Sequence, residues 1–286
     1  MDVNKIEEAA VQYAEYITKI VPQVKASNLI TYYFSGSLAM DLISSALSLK
    51  QQHLDKNGNI VSEGNDIQIS NNSREMFRQG VRPISFDIDT VSIDYNTFNG
   101  QLPIDLGSVR RECDKATILC PNWTEKFHGR LYFDALEGDR IISEHFIAIL
   151  TMAGNKKIVI SDPVYMLMHK LNEFFVIESV ERKGIFAESN KIKIQKDIRD
   201  FSCLFNGLAE LKLIPENMIK FLREFFKYNN NKMYEYMYQN EHEFISKTYS
   251  LIEPNIKKEY KDQFLNFFKG IDKYNKQELQ KCDTIS

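Results

Sequence analysis

Cysteine is scarce in this chain, and the four present (Cys113, Cys120, Cys203 and Cys282) include no close pair. That spacing points to neither a thiolate zinc cluster nor a disulfide framework, and it fits a reducing compartment. Long apolar runs are missing too: nothing approaches the roughly 20 residues that cross a bilayer. The opening residues, Met-Asp-Val-Asn-Lys-Ile-Glu-Glu, lack the basic start and apolar core of a secretory signal. The expected location is therefore cytoplasmic, with no membrane partner. Excess charge is the third absence. With 36 basic against 39 acidic residues the net charge is -3, which gives no global pull toward nucleic acid. Any such contact has to be local. His128, His145 and His169 show no metal-ligand spacing, and no internal repeat is visible. Only Asn229-Asn230-Asn231 and the polar tail after Gln277 look like biased or frayed sequence.

What is present suffices for a folded protein of two domains: 286 residues, 43% hydrophobic and 26% charged. Ile6, Ala9, Ala10, Tyr13, Ile17 and Ile20 recur at helical spacing. Ile30 to Phe34 reads as a short buried strand. Leu38, Leu42, Ala46 and Leu49 then continue as a helix, with Ser37 placed to cap its first turn. Residues 51–80 are polar and turn-rich, and they read as a surface hairpin or inserted segment. Apolar and acidic residues alternate from Ile84 to Ile93, as on a strand with one exposed face. Further strands are predicted at Ala116–Cys120, Arg130–Leu136, Ile141–Leu150 and Lys157–Ile160.

At Ser161-Asp162-Pro163 the period changes, because a capping side chain followed by proline opens a helix. The expected fold is α+β. A mixed β-sheet core with flanking helices covers 1–161, with the inserted segment near 51–80, and a helical bundle covers 162–286.

Two stretches carry chemistry. Tyr33-Phe34-Ser35-Gly36-Ser37 is an apolar strand running into a turn at a helix N-terminus. Glycine there lets backbone N–H groups approach a phosphate, and the helix dipole favours the negative charge. Arg82-Pro83-Ile84-Ser85-Phe86-Asp87-Ile88-Asp89 holds two carboxylates one residue apart, which project the same way off a strand and suit a divalent cation. A third carboxylate is expected from a neighbouring strand, with Asp134 the first choice and Glu144 its competitor.

Lys170, mid-helix beside Met166, Leu167 and Phe174, reads as a lysine snorkelling from an apolar face, or as a cation for phosphates. Lys196 and Asp200 are spaced i,i+4, and Asp197 and Asp200 i,i+3, which a solvated helix face explains. The aromatic residues of the C-terminal region, Phe225, Phe226, Phe264, Phe267 and Phe268 among them, serve either as core or as an acceptor dock.

Phe34-Ser35-Gly36-Ser37, the Arg82–Asp89 run, Met168-His169-Lys170-Leu171 and Lys196-Asp197-Ile198-Arg199-Asp200 together resemble the polymerase-β-type nucleotidyltransferases. More narrowly they resemble the AbiEii abortive-infection toxin family, to which the MenT toxins also belong. Order and context match over roughly residues 30 to 205. The chain departs from the family pattern in Ser35 for the first glycine, in a longer interval from Ser37 to Asp87, and in the stretch 181–190.

The resemblance implies that Gly36 and Ser37 hold the phosphates of a nucleoside triphosphate. It gives Asp87 and Asp89 to Mg²⁺ or Mn²⁺, a set that the strand reading completes with Asp134, and Lys170 to the triphosphate; Lys196 is a further nucleotide-binding candidate. Asp197 or Asp200 takes a further catalytic or positioning role. The implied activity is transfer of a nucleotide to a hydroxyl on tRNA by a toxin-like enzyme that an antitoxin protein silences. Two alternatives stay open: nucleotidylation of a protein, and a non-catalytic interaction protein on the same scaffold.

Overall fold

The computed structural model describes residues 3–20, 22–25, 28–80, 87–93, 109–112, 115–120, 131–137, 144–182, 187–228 and 241–283. They form two compact units, Met1–Pro163 and Val164–Ser286. The architecture is α+β, with an open mixed sheet in the first unit and helices in the second.

The first unit opens with α1 (Val3–Ile20), in which Ala10, Tyr13 and Ile17 are buried as helical spacing predicts, together with Ala14, while Ala9 is half-buried. Then follow β1 (Tyr32–Phe34), α2 (Gly36–Ser45), β2 (Ser48–Leu54), β3 (Ile60–Gln68) and α3 (Asn71–Arg78). The strands β4 (Asp87–Ser92), β5 (Val109–Glu112), β6 (Lys115–Cys120), β7 (Leu131–Glu137), β8 (His145–Thr151) and β9 (Lys157–Ser161) complete the sheet. Its order runs β3-β2-β8-β9-β1-β4 and continues β7-β6-β5. The pairs β1–β9 and β4–β7 are parallel; the others are antiparallel.

Strand alternation puts Tyr33, Leu54, Val91, Ile147 and Val159 in one apolar cluster, with Ile30 and Ile93 beside them. The three helices are tied by a single buried carboxylate. Glu7 of α1 accepts from Ser44 Oγ of α2 at 2.7 Å and from Arg78 Nε of α3 at 3.0 Å. Satisfying that carboxylate twice is what makes its burial tolerable.

The helix predicted to run through Leu49 stops at Ser45. Ala46 is already extended, and the N–H of Leu47 is taken by the Thr151 carbonyl at 2.8 Å, which commits the chain to the sheet. Residues 51–80 accordingly hold most of β2, all of β3 and α3. β2 lies inside the sheet, between β3 and β8. Its polarity has specific uses: Lys50 pairs with Glu63, Gln51 Nε2 donates to Asp162 Oδ2 at 2.7 Å, and His53 pairs with Glu144.

The β2–β3 turn is closed by Asp55, which accepts from the N–H groups of Asn57 and Asn59 at 2.8 and 3.0 Å. Gly58 sits there at φ 85, and a Cβ on it would meet the Ile30 carbonyl oxygen at 2.2 Å. Gly58→Ala is expected to cost about 2–3 kcal/mol, from the left-handed backbone and the overlap together. The reading is a lower urea midpoint with an unchanged slope.

The second unit is built from α4 (Pro163–Arg182), α5 (Ala187–Glu210), α6 (Met218–Tyr228), α7 (Glu241–Ile252) and α8 (Lys261–Asp283). The first half of α4 is buried all round, as expected of a helix apolar on every side, and among residues 163–171 only His169 is exposed. Phe201 and Phe205 of α5 meet Phe264 and Phe267 of α8 edge-on, at centroid distances of 5.0–6.4 Å. Phe225, Phe226, Phe264, Phe267 and Phe268 are all buried, so they serve as core and not as a dock. Helix α7 is described from Glu241, and 229–240 lie outside the described residues. Among the described residues no helix is long and apolar enough to cross a membrane.

Candidate active site

β1 is short, apolar and buried, and the chain leaves it through Ser35 into α2. Gly36 takes φ 61, a left-handed conformation that glycine adopts without strain. Ser35, not Ser37, occupies the N-cap position, and it makes no side-chain cap bond. This corrects the expectation for Ser37. The helix starts two residues earlier than a cap at Ser37 would set it, and Ser37 lies in its first turn, where backbone N–H groups are uncommitted to intrahelical bonds.

The sheet brings the acidic strand to this turn. β4 runs antiparallel to β1 with Phe34 opposite Thr90, so Asp89 stands one step past the last pair, level with the turn. On its other side β4 runs parallel to β7, with Asp89 opposite Asp134 and Asp87 opposite Tyr132. Register and the period of two thus put positions 87, 89 and 134 on one face of adjacent strands. The side chains of Asp87, Asp89 and Asp134, and the run 82–86, lie outside the described residues.

The strand order also separates the two candidates for a third carboxylate. Glu144 leads into β8, which is three places from β4, and it is engaged by His53. That histidine stacks on Phe146 at 4.3 Å between centroids. A residue that sequence reasoning absorbed into a helix cap lies closer to the turn. Asp162 follows β9, which pairs with β1 through Phe34 and Ile160, and it is buried and held by Gln51. The proline after it was the stronger signal and masked it.

Behind the turn, Tyr33 Oη is 3.1 Å from Nδ1 of the fully buried His145. Burial pulls the pKa of His145 from the ordinary 6.5 down to about 4, against a smaller upward pull from Asp55. The ring is therefore neutral in the fold at pH values where the unfolded chain protonates it. Its contribution is complete above about pH 6.5 and is lost as pH falls toward 4, an amount on the order of 3 kcal/mol. Urea midpoints at about pH 7 and pH 4.5 should differ less in His145→Gln than in the wild type. Equal differences would remove His145 as the cause.

The second set of motif residues lies in the helical unit. The stripe Phe201, Leu204, Phe205 and Leu208 of α5 is fully buried, and one turn toward the N-terminus it runs into Asp197 and Asp200, each 0% exposed. These aspartates are not the solvated face that their spacing suggested. Lys170 of α4 faces them, its Nζ 3.4 Å from Asp197 Oδ1 and 3.6 Å from Asp200 Oδ2. Its flanking residues Met166, Leu167, Leu171 and Phe174 are buried as well, so the lysine does not snorkel to solvent. Lys196, beside Asp197 in sequence, is half-buried. The motif residues thus form two sets, one on the sheet around Gly36 and one around Lys170.

A divalent cation of the Mg²⁺ type takes hard oxygen donors, which is what positions 87, 89 and 134 supply on adjacent strands. Among the described side chains no group of three or more His, Cys, Asp and Glu is gathered for a metal. Those three aspartates are not among them. No protein-family model, curated protein or solved structure gives a significant match to the chain.

Proposed function

We propose that this protein is a metal-dependent nucleotidyltransferase that moves a nucleotide from a nucleoside triphosphate to a hydroxyl on RNA. The observation that carries the reading is the strand register. It sets a glycine turn at a helix N-terminus, an Asp-x-Asp strand and a further aspartate on three adjacent strands, β1, β4 and β7. The reading also rests on the order of these motifs along the chain, which resembles that of the polymerase-β-type enzymes and the AbiEii toxins.

In this reading the N–H groups at the start of α2 bind triphosphate oxygens, with Gly36 allowing close approach. Asp87, Asp89 and Asp134 hold the divalent ion. When bound, it neutralises phosphate charge and lowers the pKa of an oxygen nucleophile. The acceptor hydroxyl forms a bond to the α-phosphorus, its proton passes to a carboxylate at this face, and the bond to the bridging oxygen breaks to release pyrophosphate. Little covalent chemistry falls to the chain, whose work is positioning and charge stabilisation. Lys170 is the cation that the resemblance assigns to the triphosphate, and Asp197 and Asp200 fix its ammonium group. The toxin resemblance makes tRNA the leading acceptor and an antitoxin the expected partner.

Incubating the protein with each α-labelled nucleoside triphosphate, Mg²⁺ or Mn²⁺, total tRNA and a cell lysate tests the acceptor. Label is expected in the tRNA fraction. Label confined to protein bands would replace RNA by a protein acceptor.

A further inference from the structure

The helical unit carries a surface that the motif residues do not use. α6 is strongly amphipathic: Met218, Leu222, Phe225 and Phe226 are buried, while Lys220, Arg223 and Lys227 are exposed. The three cations follow i, i+3, i+7, so they line one side of the helix over about 10 Å. Asn217 fixes the start of this helix by accepting the Lys220 N–H at 3.0 Å.

α8 lies alongside. Arg223 Nη2 donates to Gln277 Oε1 at 3.4 Å, and Phe226 stacks on Tyr274. Lys273 and Lys269, one and two turns before Gln277 on its side of α8, are exposed. Between the helices is an open depression of about 560 Å³ lined by Asn217, Lys220, Arg223, Lys227 and Gln277, with Ile219 its one apolar residue. Glu224 is the one carboxylate among these lining residues. In a chain of net charge -3, that is a pronounced local excess of positive charge.

The lining decides between partners. A protein partner needs a desolvated apolar or aromatic anchor at the centre of its contact, and an amphipathic helix that inserts into a membrane needs an exposed apolar face. This depression offers neither. Exposed cations repeated along a shallow groove, with an amide and an arginine fork among them, match a chain of phosphates. We infer that the α6–α8 face binds the phosphate backbone of the nucleic-acid acceptor, an inference that rests on the nucleotidyl-transfer reading.

The test measures binding of the full chain to labelled total tRNA by fluorescence anisotropy between 50 and 200 mM salt. The variant Lys220→Glu/Arg223→Glu/Lys227→Glu is compared with the control Lys191→Glu/Lys193→Glu/Lys258→Glu, which makes the same charge change at exposed positions elsewhere in the unit. The α6 variant should lose at least about 10-fold in affinity at the lower salt. Its slope of log K against log salt should shrink by about 2–3, the loss of three phosphate contacts. The control should keep its affinity within about threefold, and both should melt like the wild type.

If the wild type labels tRNA and the α6 variant binds and labels it equally well, the inference fails while the transfer reading stands. If the wild type neither binds nor labels tRNA, both fall. Binding to anionic lipid vesicles but not tRNA, abolished by the same variant, would also overturn it.

Discussion

Replacing Lys170 by methionine should destabilise the protein by about 3–5 kcal/mol, because it removes the ammonium group that the buried Asp197 and Asp200 both face. The informative comparison is with Lys170→Met/Asp197→Leu/Asp200→Leu, which removes all three charges and fills the space with apolar side chains. That variant should be as stable as the wild type, or more stable by about 1–4 kcal/mol. It should also have lost nucleotide transfer. Stability and activity then move in opposite directions, as they do when a polar group is kept in a core for function. If the apolar variant instead unfolds like the single one, the charges are part of what specifies the fold of the helical unit.

The second large effect belongs to the acidic strand. Asp89→Asn should lower the rate of transfer by about 10³-fold or more, the several kcal/mol that charge stabilisation by a carboxylate-held ion provides. Asp134→Asn should fall in the same range. Glu144→Gln, just before a strand three places away and paired with His53, should stay within about threefold of the wild type. A large loss with Glu144→Gln and little with Asp134→Asn would move the third carboxylate off the strand beside β4.

Much of the sheet was legible from pattern alone. The apolar run of β1, the alternation through β4 and the onset of helix at Pro163 follow from local periodicities that the tertiary fold leaves intact. Three features needed information that a single stretch does not hold. β2 is polar at Lys50, Gln51, Gln52 and His53, and it reads as surface because the partners of these side chains, Glu63, Asp162 and Glu144, lie far off in sequence. Asp197 and Asp200 look solvated by residue type. Only the extension of the Phe201 stripe back along α5 marks them as buried, and their cation comes from a different helix. Which strand lies beside β4 is a matter of topology. Asp134 and Glu144 are equally good strand carboxylates in sequence, and the parallel pairing of β4 with β7 separates them.

The turn itself is legible, but its cap is Ser35, two residues before the expected Ser37. Serine is a frequent helix cap, and Ser35 and Ser37 both qualify. The helix is entered from Ser35, in extended conformation, through Gly36 in the left-handed region, so Ser37 already lies inside the first turn. The consequence for chemistry is small, since the N–H groups of the first turn face the same end of the sheet in either register.

The central claim is a bond broken between the α- and β-phosphates. Parallel reactions with α-labelled and γ-labelled nucleoside triphosphate, tRNA and Mg²⁺ follow where each phosphorus goes, in the wild type and in Asp87→Asn/Asp89→Asn. Nucleotidyl transfer puts the α-label into the acceptor and the γ-label into pyrophosphate, and the double variant does neither. Gamma label in the acceptor, or transfer that survives the double substitution, would contradict it.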